Sequence, residues 1–169
     1  MEPESSREVF HGRLIRVEVE TWPSGEREVV RHPGACAIVA TTTEGDVLLV
    51  RQTREAVRAR LLEIPAGVLD VPGEQAASCA ARELREETGY EAVDVRPLAT
   101  IHTSPGFADE TIWLFTARAE PAGDPEHGIE VVHMPLEDAV KAVRDGRITD
   151  AKTVAALLLA RERGALRGP

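Results

Sequence analysis

P-A-G-V-L-D-V-P-G-E-Q-A-A-S-C-A-A-R-E-L-R-E-E-T-G-Y, Pro65 to Tyr90, is the stretch from which the rest of the chain is read. Pro72-Gly73 closes a turn, no Gly or Pro falls between Gln75 and Thr88, and Gly89 stands where a C-terminal cap belongs, so the second half is predicted to be one helix. Ala77, Ala80, Ala81, Leu84 and Thr88 recur at helical spacing and form a stripe that must pack on something. The acidic residues are harder to explain. Glu83 precedes Glu86 by three residues and Glu87 by four, so three carboxylates crowd one side of two turns. Each like-charge pair costs a helix roughly 0.2–0.5 kcal/mol. A hard divalent cation reverses the sign, because Mg²⁺ and Mn²⁺ prefer oxygen donors and bind through one or two carboxylates plus substrate phosphates. The bland alternative is a solvated, charged helix face.

The segment resembles the Nudix box. In that pattern a Gly is followed after five residues by Glu, and after seven more by Arg-Glu, an aliphatic residue, any residue, Glu-Glu, any residue, Gly and an apolar residue. Gly67 and Glu74 match the opening; Arg82, Glu83, Leu84, Glu86, Glu87, Gly89 and Tyr90 match the rest. Six residues rather than five separate Gly67 from Glu74, an insertion at or near Val71, while the spacing from Glu74 onward is intact. A match at nine defined positions is far more specific than a lone glycine motif. The resemblance implies an α/β fold, the Nudix α/β/α sandwich of mixed β-sheet between helices. It also implies that Glu83, Glu86, Glu87 and the backbone carbonyl of Ala66 hold Mg²⁺ or Mn²⁺, with the same glutamates catalytic. Arg82 is expected to orient a box carboxylate rather than to touch substrate.

The 169 residues, 43% apolar and 29% charged, are expected to form one domain over 1–169. No apolar run approaches the ~20 residues of a membrane helix, and Met1-Glu2-Pro3-Glu4 is acidic where a signal peptide begins basic. Cys36 and Cys79 lack metal-ligand spacing and, without a secretion signal, point to a reducing cytoplasm; both are expected to be buried and inert. A formal charge of −9 disfavours long nucleic acid as a partner. A small nucleoside diphosphate can still bind an acidic protein through metal ions.

Residues 9–32 read as two strands, Val9 to Trp22 and Glu26 to His32, around the turn Pro23-Ser24-Gly25. In the ADP-ribose-hydrolysing branch of the family an N-terminal sheet of this kind helps form the dimer, so the resemblance implies a homodimer with an N-terminal β-hairpin extension. The residues alone fit an edge ribbon of a monomer equally well. Trp22 fits a packing residue beside the turn or a surface on which adenine stacks. Ala35–Thr42 and Val47–Gln52 then form a hairpin apolar enough for central strands. The string Arg51-Gln52-Thr53-Arg54, followed by L-L-E-I-P-A-G, is similar to the ADP-ribose pyrophosphatases, which makes Arg54, and after it Arg51, a substrate-binding candidate. A planar guanidinium suits a diphosphate because it donates in a fork; exposed strand-end arginines are the alternative.

Beyond the box, Ala92–Thr103 and Asp109–Ala119 read as strands joined by Ser104-Pro105-Gly106-Phe107. Pro105 falls sixteen residues after Gly89, where a proline marks the ADP-ribose-hydrolysing members, and the whole S-P-G-F-x-D-E string resembles them. That likeness implies that Pro105 and Gly106 line the substrate and that Glu110 contacts it, although the same residues also make a turn. Loops of the family this chain resembles often carry a carboxylate that swings in to activate the attacking water, and the likeness implies that role for Glu126 in the connection E-P-A-G-D-P-E-H-G-I-E. Glu130 competes as base or metal ligand, and a solvated loop acid is the alternative. His11, His32, His102, His127 and His133 read as surface or packing residues. Pro135 to Gly146 brackets one helix, and a second runs from Thr149 or Asp150 to Leu159. Both read as structural, and the second opens with I-T-D-A-K-T, again similar to the ADP-ribose branch. Residues 1–6 and 164–169 look loose. The expected activity is metal-dependent hydrolysis of ADP-ribose to AMP and ribose 5-phosphate. The alternatives are another nucleotide sugar, a dinucleoside polyphosphate, an oxidised nucleotide, or a nucleotide sensor without hydrolysis.

Overall fold

A computed structural model of the chain describes residues 1–125 and 129–164. Every residue of β4 (Ala35–Thr41) is buried, as an apolar run without alternation requires when both faces of a strand are covered. Cys36, Ile38 and Ala40 enter one core with Cys79, Ala80 and Leu84 of α1 (Ala76–Thr88). Ala35, Ala37 and Val39 enter the other with residues of α2 (Leu136–Arg144) and α3 (Ala151–Glu162). The period of two along one strand thus sorts its side chains between two helical layers, and the expected α/β/α sandwich is the result.

The remaining strands of this sheet are β5 (Asp46–Arg54), β6 (Ala59–Glu63), β7 (Ala66–Val68), β8 (Tyr90–His102), β9 (Thr111–Pro121) and β10 (Glu130–Pro135). They run in the order β10-β5-β4-β9-β8, with β6 added to β5 and β7 to β4. β4 and β9 are parallel and the other pairings antiparallel, so the sheet is mixed. β6 and β7 escaped the sequence reading because Pro65 stands between them and destroys any period of two. The Pro65 carbonyl accepts from Ile38 N at 3.0 Å, which keeps this break tied to the centre of the sheet.

α1 spans the predicted residues and stops at Gly89, whose φ of 75° and N–H bond to the Arg85 carbonyl are those of a left-handed cap. A Cβ at that position would meet the Gly123 carbonyl oxygen at 2.4 Å, a second reason for glycine there. α3 starts at its Asp150 cap as expected and continues three residues past the predicted end.

The N-terminal region departs from the hairpin reading. β1 (Ser5–His11), β2 (Arg16–Trp22) and β3 (Gly25–Arg31) make a separate three-stranded antiparallel sheet. The run that read as one strand from Val9 to Trp22 is broken at Gly12, whose N–H donates to the Ile15 carbonyl at 2.9 Å and reverses the chain. Ser5 and Ser6, expected to be loose, pair with Thr21 and Glu20 because β2 offers them a free edge. The residues of the expected loose C-terminus from 165 to 169 lie outside the described residues. The turn 104–107 joins this sheet to the main one: Val30 N donates to the Phe107 carbonyl at 2.7 Å and Asp109 N to the Val30 carbonyl at 3.1 Å. Among the described residues no helix is long and apolar enough to cross a membrane.

Candidate active site

α1 packs its alanine stripe under β4 and turns its acidic residues toward β7. The Glu83 carboxyl lies directly on Gly67, where a side chain of any size would collide with it. Arg82 organises the neighbouring acids. Its Nε and Nη2 donate to the two oxygens of Glu74 at 3.0 and 3.1 Å. Its Nη1 lies 2.7 Å from Glu83 Oε1 and 2.9 Å from Glu86 Oε2. The extra residue between Gly67 and Glu74 is taken up in the turn, where Gly73 has a φ of 80° and Glu74 N bonds the Val71 carbonyl. The Glu74–Arg82 fork survives the insertion, and Arg82 holds the Glu74 carboxyl below the usual range.

Glu87 is different in kind. It is 7% exposed, accepts from Ala66 N at 3.1 Å and from the Gln52 side chain, and has no cation bonded to it among the described residues. Burial pushes its carboxyl up to about 7 against those two neutral donors. Burial raises Glu83 as well, with Arg82 opposing. A buried carboxylate that lacks a positive partner beside a second raised carboxylate is a donor set that a hard cation would satisfy. Among the described residues no three acidic, histidine or cysteine side chains converge on one point. A hard cation held here would complete its shell with water and oxygens of a ligand, as is usual for Mg²⁺.

The two candidate arginines separate because strand residues alternate. Arg54 and Gln52 share the face of β5 that carries Leu48 toward α1, whereas Arg51 points with Leu49 to the other face. Arg54 forks onto Glu63, Nε to Oε1 and Nη2 to Oε2, both at 2.8 Å. Glu63 is 1% exposed and also accepts from Lys152. Burial acts to raise the Glu63 carboxyl, but Arg54 and Lys152 outweigh it and hold the group below its usual value. Arg51 instead meets Glu130, its cross-strand neighbour, at 3.1 Å, and Arg60 reaches the same carboxylate at 3.0 Å. The structure therefore brings Arg54 to the box glutamates and leaves Arg51 and Glu130 paired with each other.

Pro105 and Gly106 sit in the exposed turn that docks the N-terminal sheet. Glu110 accepts from Thr103 Oγ1 at 2.6 Å and lies 3.7 Å from His32 Nδ1. Glu126 and His127 lie outside the described residues. A cleft of about 700 Å³ separates the N-terminal sheet from the box loop, with His11, Arg13 and Arg16 on one side and Leu69, Val71 and Pro72 on the other. The Trp22 indole donates to Glu20 at 2.9 Å, and His133 packs edge-on against Tyr90. Cys36 and Cys79 are free and buried, with Sγ atoms 2.7 Å apart, and burial raises both thiols.

Gln52, Glu63 and Lys152 were not singled out from the sequence. Strand alternation would have placed Gln52 with Arg54. Glu63 carries a usable signal, a charged residue flanked by Leu62 and Ile64. Lys152 lay inside a string that had been read as structural.

A NUDIX domain matches residues 30–157. The chain is 39% identical over 163 residues, 90% of this chain and 88% of the relative, to a methanol dehydrogenase activator of Bacillus methanolicus. It is also 39% identical over 164 residues, again 90% and 88%, to an ADP-ribose pyrophosphatase of Bacillus subtilis (strain 168). A crystal structure of an ADP compounds hydrolase superposes with a TM-score of 0.78 over 98% of this chain and 96% of that one, at 24% identity, so the two share a fold. The chain belongs to the NUDIX family. It is a Nudix hydrolase, an enzyme acting on a nucleoside-diphosphate-linked compound.

Proposed function

We propose that the substrate is ADP-ribose and the products AMP and ribose 5-phosphate. The observation that carries the hydrolytic reading is Glu87, a buried carboxylate with no cation bonded to it among the described residues, standing beside Glu83 and within the electrostatic reach of Arg54. The likeness to an ADP-ribose pyrophosphatase supports the choice of substrate. Glu83, Glu86, Glu87 and the Ala66 carbonyl would hold Mg²⁺ or Mn²⁺. Such a cation, when bound, neutralises the diphosphate and lowers the pKa of water near it. Arg82 keeps Glu83 and Glu86 in place from behind. Arg54 binds the diphosphate with the Nη1 end that Glu63 leaves free. Glu126 takes the proton of the attacking water, a role for which Glu130 is less suited while it pairs with Arg51 and Arg60. Pro105, Gly106 and Glu110 would line the nucleoside side; the cleft bounded by His32, Asp109 and Glu74, next to them in the chain only through Asp109, falls in the size range of small-ligand sites.

The described chain works as one domain with its N-terminal sheet, in a reducing cytoplasm suited to two free thiols. Val9, Phe10 and Leu14 are large apolar residues left exposed on and beside that sheet, which favours a homodimer paired through it. Sedimentation of the wild type against Phe10→Asp tests the dimer; a monomeric wild type removes it.

The activity is tested by incubating ADP-ribose, other nucleotide sugars, dinucleoside polyphosphates and oxidised nucleoside triphosphates with protein and Mg²⁺, and identifying products by mass. AMP and ribose 5-phosphate should form fastest. A faster reaction with another member reassigns the substrate within the family. Binding of ADP-ribose with no product from any member favours the sensor.

A further inference from the structure

We infer that Lys152, in the first turn of α3, is a positioning residue of the hydrolytic site: through Glu63 it fixes Arg54 and the Ile64–Ala66 turn against Glu87. The inference rests on the proposed metal and phosphate roles of those residues.

Lys152 is oddly placed for a structural residue. A lysine in the first turn faces the positive end of the helix dipole, which disfavours it. Its side chain is only 12% exposed, and lysine is rarely buried without a partner. Its ammonium lies between Asp150 Oδ1, at 3.0 Å, and Glu63 Oε2. Glu63 Oε2 also takes Arg54 Nη2 at 2.8 Å, so one buried oxygen joins the helix to the arginine.

A second tie runs in parallel. Thr153, fully buried, donates its hydroxyl to Asp150 at 2.6 Å and accepts from Ile64 N at 3.0 Å. Two residues further on, Ala66 N bonds Glu87 at 3.1 Å. The segment from Glu63 to Ala66 is therefore strung between the start of α3 and the box helix. Arg54 gains a defined orientation, with Nε and Nη2 committed to Glu63 and Nη1 without a hydrogen bond among the described residues. A pair as buried as Glu63 and Lys152 is a poor device for stability, since apolar residues of like volume commonly serve as well. Its geometry serves the site.

The test compares wild type with Lys152→Met, Lys152→Arg, Glu63→Gln and the double variant Glu63→Gln/Lys152→Met. Readouts are kcat and KM for ADP-ribose, and Mn²⁺ affinity from the electron spin resonance of free Mn²⁺. Lys152→Met should lose about 10–100-fold in kcat/KM and in Mn²⁺ affinity while melting above the assay temperature. Lys152→Arg should restore most of both. In the Glu63→Gln background Lys152→Met should cost less than about threefold, the non-additivity of residues acting in series. Unchanged kinetics and Mn²⁺ affinity with only a lowered Tm, or additive losses, overturns the inference. If Lys152→Met does not fold, the double variant carries the comparison, because it removes both charges; failure of both to fold shows a purely structural residue and also overturns it. Wild type that binds Mn²⁺ but hydrolyses nothing in the panel removes the proposed activity, and the Mn²⁺ arm still decides the role of Lys152. Wild type that binds no Mn²⁺ removes both.

Discussion

A Cβ built on Gly67 would stand 2.0 Å from Cδ of Glu83 and 2.1 Å from its Oε1. The strand residue that opens the box and the helix residue sixteen positions later are thus in contact, and the glycine is there for space. Gly67→Ala should leave the fold intact, because what must move is one side chain, but that side chain is pinned 2.7 Å from Arg82 Nη1. Displacing the carboxylate by about 1 Å is enough to cost on the order of 100-fold in turnover. Far-ultraviolet circular dichroism and steady-state kinetics on the same preparation check it, and normal turnover would refute the contact.

Glu87 makes a prediction with a sign. Its folded carboxyl titrates at about 7, above the 4.5 of an exposed glutamate. Between those values the folded chain holds a proton that the unfolded chain has released, so the metal-free protein loses stability as pH rises from about 4.5 to 7. The full shift corresponds to roughly 3 kcal/mol. Glu87→Gln should flatten this part of the profile and raise the metal-free Tm at pH 8, while cutting turnover by orders of magnitude. Melting curves of both proteins in chelator at pH 5 and pH 8 decide it; parallel pH slopes would show that Glu87 is not the group responsible.

Arg82 contacts three carboxylates through one planar group. A lysine is a point charge and cannot hold the Glu74 fork while reaching Glu83 and Glu86. Arg82→Lys should therefore behave like Arg82→Met, losing about 10–100-fold in activity and raising the Mg²⁺ needed for half-maximal rate. Full rescue by lysine would reduce the arginine to a charge.

Asp109 ties the two sheets together. It lies 3.2 Å from Arg31 Nη1 and accepts from His32 N at 2.8 Å. Asp109→Ala should speed hydrogen exchange in β3 at Val30 and Arg31 and weaken substrate binding through KM, with kcat within about threefold of wild type, because the box itself is untouched. A lowered kcat at unchanged KM would place Asp109 in the chemistry instead.

The box was legible in the sequence because its information is local. Helix period, the Gly89 cap and the three-and-four spacing of Glu83, Glu86 and Glu87 are properties of a few turns of chain, so the acidic face could be read before any fold was known. The buried apolar runs of β4 and β5 announced a covered sheet for the same reason. What tertiary structure alone decided is which distant residues meet. Gln52 reaches Glu87 across 35 positions and Lys152 reaches Glu63 across 89, distances over which no spacing rule operates. The three N-terminal strands are not legible as such in the linear pattern, because the break at Gly12 and the edge offered by β2 depend on hydrogen-bond partners that it does not name. Residue types and local periods set what each segment can form; the pairing of buried charges is settled only when folding removes water from between them.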